Sequence, residues 1–124
     1  SLYVYLFELN LRNLLYVIFP ALRALEGHIK YLITEAGGTA GRQFSCFRLD
    51  KTIIPNRYVV TENFADRSKN RSIENCYNYY KSQRDTDFHF GDILGGADNT
   101  RFIKTKEEAD EIIKNCMSLI NTEQ

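Results

Sequence analysis

Pro20-Ala21-Leu22-Arg23-Ala24-Leu25-Glu26-Gly27-His28-Ile29-Lys30-Tyr31-Leu32-Ile33-Thr34-Glu35-Ala36-Gly37-Gly38 is the stretch that decides how the chain folds. Leu22, Leu25, Ile29, Leu32 and Ile33 recur at helical spacing and share one face of an α-helix. Pro20 suits the first turn of a new helix, and Gly37-Gly38 supplies a stop. The spacing therefore predicts a helix from Pro20 to about Ala36. Arg23 and Lys30 fall on its solvent side, with Glu26 and His28 on opposite flanks.

Upstream, Leu6, Leu9, Leu14, Leu15 and Ile18 make a rougher stripe. It predicts a separate first helix over residues 1–19, read as shared with a partner or as a linker from a preceding domain. Glu8, Asn10, Arg12 and Asn13 make this stretch too polar for a membrane span, and it lacks the pattern of a signal peptide. Downstream, residues 37–66 read as an irregular excursion holding a small hairpin. Phe44–Phe47 and Tyr58–Val60 are its strand candidates, and Pro55 limits their pairing.

A helix follows over about Lys69–Gln83, with Ile73, Cys76, Tyr77 and Tyr80 on one side. Tyr77, Tyr79 and Tyr80 suit either the core, as their helical spacing favours, or stacking on bases. Thr100-Arg101-Phe102-Ile103 is a short extended candidate. Thr105-Lys106-Glu107-Glu108 is a capping box. It opens a last helix whose apolar face is Ala109, Ile112, Ile113, Cys116, Leu119 and Ile120. The expected fold is mainly α: a bundle of four to five helices with a small β insertion, one domain over residues 1–124.

The 124 residues suit a single domain with a real core. Three cysteines, with no C-x-x-C pair, argue against a disulfide framework or a zinc site and fit a reducing cytoplasm. Formal net charge is zero, but residues 42–84 carry nine bases and four acids, and residues 85–124 carry four bases and nine acids. A basic block of this kind guides a polyanion or pairs with the acidic block of its own domain. No phosphate-cradling glycine loop is present.

The boundary between the blocks reads Ser82-Gln83-Arg84-Asp85-Thr86-Asp87-Phe88-His89-Phe90-Gly91. Arg84 offers a planar permanent cation for phosphate oxygens. His89 offers a proton donor or acceptor near neutral pH. Arg23 and His28 repeat the spacing, but five residues of unbroken helix rotate a side chain by about 140°, so that pair diverges. Gly91 and Gly95-Gly96 place the second pair near a helix end instead.

Arg84, Asp85 and His89 resemble the R-x4-6-H motif of the HEPN superfamily, in which a polar residue usually follows the Arg. Together with the Leu25-Glu26-Gly27 helix, the Tyr79-Tyr80 helix and the Thr100–Ile103 stretch, in that order, the chain resembles the C-terminal HEPN domain of RNase LS-type toxins of toxin–antitoxin systems. The resemblance implies an HEPN-like bundle and a metal-independent endoribonuclease with no cofactor. It implies Arg84, Asp85, His89 and Glu26 at the active site, and Arg71, Tyr80 and Lys81 against RNA. A homodimer and a cognate antitoxin are the implied protein partners. Non-catalytic HEPN domains also exist, so a module that only binds a partner is the alternative.

Overall fold

The computed structural model describes residues 2–41, 44–61, 64–87 and 106–124, with the backbone alone for residues 3–13, 15 and 85–87. Three α-helices and one hairpin make up this part: α1 (Leu2–Glu35), β1 (Phe47–Asp50), β2 (Arg57–Val60), α2 (Asn70–Asp87) and α3 (Lys106–Thr122). The mainly helical fold with a small β insertion matches expectation. The described residues hold three helices, and the expected count of four to five extends to stretches outside them.

The expected break between a first helix over residues 1–19 and a second opening at Pro20 is absent: Pro20 sits inside α1. An interior proline costs about 3 kcal/mol. Fully burying one Ile or Leu contributes roughly 1.5–3 kcal/mol. Ile18, Leu22 and Leu25 are all essentially inaccessible to solvent, and only an unbroken helix keeps them on one stripe. Tyr16, whose carbonyl loses its helical donor at Pro20, is exposed, as is Pro20 itself. Of the rougher upstream stripe, Leu14 and Ile18 are buried; Leu6, Leu9 and Leu15 lie outside the described side chains.

The expected stop is present. Gly38 N–H donates to the Ile33 carbonyl at 2.9 Å and Gly37 N–H to the Thr34 carbonyl at 3.0 Å, with Gly37 at φ 84°. This is a Schellman closure, which needs a left-handed residue at the first position past the helix. The Asp66 N–H then returns to the Ala36 carbonyl at 3.1 Å. Asp66 also accepts from Ser68 N–H at 2.9 Å and caps the 3₁₀ turn Arg67–Lys69 that leads into α2. These bonds bring the start of α2 to the end of α1, so the two helices pack antiparallel.

The hairpin pairs Phe47 with Val60 and Leu49 with Tyr58. Tyr58–Val60 is a strand as expected. The other candidate shifts by three residues: Phe44 is buried in a turn at φ 51° and the strand begins at Phe47. The ring of Phe44 is anchored in the core instead, 5.3 Å from Tyr77 and 5.8 Å from Tyr80 between centroids. Phe47 stacks on Tyr77 at 3.8 Å. The side chains of α2 cover the outer edge of β2: Tyr58 N–H donates to Asn78 Oδ1 at 2.7 Å and Val60 N–H to Glu74 Oε2 at 3.0 Å. An edge strand left bare would invite pairing with another chain.

α3 begins at Lys106, as the capping box predicts, although Thr105 itself lies outside the described residues. Ala109, Ile112 and Cys116 are buried, with Ile113, Leu119 and Ile120 packed against the core. Its far end is tied to the start of α2 by two side chains. Lys69 Nζ donates to the Gln124 carbonyl at 3.1 Å, and Asn75 Nδ2 to Glu123 Oε1 at 3.4 Å. α3 thus runs antiparallel to α2. The Thr100–Ile103 stretch lies outside the described residues. Among the described residues no helix is long and apolar enough to cross a membrane.

Candidate functional site

Arg84 stands exposed in the last turn of α2, where the helix dipole favours a cation. Asp85 follows it in the same turn, with its side chain undescribed, and His89 lies outside the described residues. Lys81 is one turn earlier and half-buried, on a flank adjacent to Arg84. Arg71 is exposed in the first turn; thirteen positions at 1.5 Å each put it about 20 Å along the axis from Arg84. It does not join that site within one chain. Tyr80 is 6% exposed and packs on Phe44, so its ring faces belong to the core rather than to a base. The sequence left the core and stacking readings open, and burial decides for the core at Tyr77 and Tyr80.

Glu26, on α1, is half-buried and paired with Lys30, Nζ to Oε1, at 3.4 Å. The Lys30 ammonium in turn stands 5.6 Å above the Phe44 ring. Phe44 connects this pair to Tyr80 on α2. Glu26 is one turn from Lys30 along α1, and Arg84 is one turn from Tyr80 along α2. Because the helices are antiparallel, the two steps run the same way. Lys30 was expected only on the solvent side. The signal that finds it was present, since Glu preceding Lys by four positions is the favourable helical orientation.

The other motif match is separated as its geometry predicts. Arg23 is exposed, whereas the half-buried His28 turns to α3 and bonds the Glu123 carbonyl through Nε2. His28 ties two helices together.

A cavity of about 170 Å³ opens between α2 and α3, lined by Tyr79, Gln83, Glu108, Glu111, Ile112 and Asn115. Asn115 Nδ2 donates to the Tyr79 hydroxyl at 3.3 Å. Gln83 Oε1 is buried there without a hydrogen-bond partner among the described residues. No sequence pattern announced this cavity, because it forms only when α2 and α3 meet.

Cys46, Cys76 and Cys116 are free thiols buried in the core, as expected. Burial pushes the Cys76 thiol up to about 12, with the Glu123 carboxylate adding to the shift. Desolvation disfavours the thiolate, the reactive form. Among the described residues no three His, Cys, Asp or Glu side chains gather as a metal site.

No curated protein and no solved structure matches the chain. One family does: that described as RNase LS, bacterial toxin DBD domain, over residues 1–91. The matched span takes in α1, the hairpin, α2 and the whole Arg84–His89 motif. It covers well over half of the sequence, and the chain belongs to the RNase LS bacterial toxin DBD-domain family.

Proposed function

We propose that the chain is the RNA-cutting unit of a toxin, a HEPN-type endoribonuclease restrained by a cognate antitoxin in the cytoplasm. The observation that carries the reading is the family match through residue 91, which includes Arg84, Asp85 and His89. In the proposed reaction an RNA 2′-hydroxyl attacks the adjacent phosphorus. His89 takes the hydroxyl proton, and Arg84 meets the negative charge building on the phosphoryl oxygens. The P–O5′ bond breaks and the departing oxygen gains a proton. The products are a 2′,3′-cyclic phosphate and a 5′-hydroxyl.

Asp85 orients Arg84 or His89 by a charge-assisted bond, and Glu26 serves as a second acid–base group or an orienter. Lys81 stands close enough along α2 to guide the backbone of the RNA. Both proton transfer and charge stabilisation come from side chains, so the reading requires no metal ion. We further propose that the active form is a homodimer that brings two Arg84–His89 motifs together. Tyr16 and Val17, 74% and 50% exposed on α1, give that helix apolar surface for a partner.

Purified protein incubated with end-labelled RNA in excess chelator tests the reading. Cleavage leaving 2′,3′-cyclic phosphate and 5′-hydroxyl ends supports it. Intact RNA, with a purified antitoxin still bound, supports a non-catalytic interaction module instead.

A further inference from the structure

We propose that Lys30 is a positioning residue for the Glu26 carboxylate, acting through Glu26 rather than on RNA; this rests on Glu26 belonging to the nuclease site proposed above. Its ammonium is held from two sides, by Glu26 Oε1 at 3.4 Å and by the Phe44 ring at 5.6 Å. A pair of this kind on an open helix face is worth little and samples many rotamers. Here the ring beneath it reduces that freedom. Cation–π attraction holds the ammonium over the ring more firmly the less water reaches it, and the Lys30 side chain is 42% exposed.

The ring is itself fixed. Phe44 is 5% exposed and wedged between Tyr77 and Tyr80. It also adopts φ 51° without being glycine, a conformation that persists only where the surroundings impose it. A line of contacts thus runs from the Tyr80 turn of α2, through Phe44 and Lys30, to Glu26 on α1. Arg84 is on the next turn of α2. Lys30 is the part that makes the carboxylate's position depend on the helix carrying the motif.

The test is single-turnover and steady-state RNA cleavage by Lys30→Met, Lys30→Arg, Glu26→Gln and the Lys30→Met/Glu26→Gln double variant, each with a native circular-dichroism spectrum. The expected result is a roughly 10–100-fold fall in kcat for Lys30→Met, the scale on which mispositioned groups act, with KM unchanged. Lys30→Arg should recover most of that loss, and Lys30→Met should add nothing once Glu26 is Gln. A rise in KM with unchanged kcat, or a further loss in the Glu26→Gln background, would overturn the proposal, because Lys30 would then contact RNA itself. Wild-type kcat for Lys30→Met beside a crippled Glu26→Gln overturns the Lys30 role alone. Wild-type cleavage by Glu26→Gln instead removes Glu26 from the site and the proposal with it.

Discussion

Asn78 on α2 and Tyr58 on β2 exchange two hydrogen bonds, Tyr58 N–H to Oδ1 at 2.7 Å and Nδ2 to the Tyr58 carbonyl at 2.9 Å. One side-chain amide does for the strand edge what a third strand would do. It fastens the hairpin to the helix that carries Arg84, and its Nδ2 also reaches the Glu74 carbonyl at 2.7 Å.

Asn78→Asp keeps the shape but replaces the donor with a second acceptor, facing two carbonyl oxygens. It should destabilise the fold by about 1–3 kcal/mol, the cost of leaving such groups unpaired. Urea unfolding of the two proteins measures this directly.

Gly37 closes α1 at φ 84°, and a Cβ added there would come within 2.8 Å of the Ala65 Cβ. Gly37→Ala should therefore lower stability by about 1–3 kcal/mol from backbone strain and overpacking. A Gly27→Ala control, at a helical site with nothing within 4 Å of the added Cβ, should be neutral or stabilising, since Ala is the better helix former. Thermal melts distinguish the two.

The raised thiol of Cys76 makes stability depend on pH in one direction. Below its ordinary value of 9.0 the thiol is protonated in both folded and unfolded chains and adds no slope. Between about 9 and about 12 only the unfolded chain releases the proton, so stability falls as pH rises through that window. Cys76→Ala should flatten this part of an alkaline stability curve, whatever it costs in packing. Labelling by a thiol reagent at pH 8 should be slow at Cys76 until denaturant is added.

His28→Ala should act on stability and hardly on cleavage, because the imidazole is bonded to the Glu123 carbonyl and not to the Arg84 end of α2. The expected loss is about 1 kcal/mol for the bond, with fraying of the last turn of α3. Faster amide exchange near Asn121–Glu123, beside wild-type turnover at matched concentration, is the expected pattern.

Much of this architecture was legible in the apolar spacing. Leu22 to Ile33 marked the buried face of α1, Ile73 to Tyr80 that of α2, and Ala109 to Ile120 that of α3. Gly37 marked the first stop because only a left-handed residue closes a helix that way. Pro20 misled, since its local preference for a first turn was outweighed by the continuous stripe from Ile18 to Leu25. Phe44 misled because a long-range aromatic cluster, not strand propensity, sets its backbone. Among the candidate site residues, motif spacing nominates Arg84 and a resemblance nominates Glu26. Tyr80, expected against RNA, instead packs its ring on Phe44 in the core. The Lys30–Phe44 contact joins residues on either side of the helix stop, and no periodicity within one element reveals it.

Cleavage by Arg84→Ala and His89→Ala decides whether Arg84 and His89 cut RNA. The assay uses chelator-treated protein, at concentrations where wild type and variants have the same oligomeric state. Removing an acid–base group should lower the rate by about 10²–10⁴, and removing a charge-stabilising donor by about 10²–10³. Both variants should keep native circular dichroism, and Arg23→Ala should cleave nearly as wild type. Both motif variants should lose the 2′,3′-cyclic phosphate product; wild-type rates in both would remove Arg84 and His89 from the reaction.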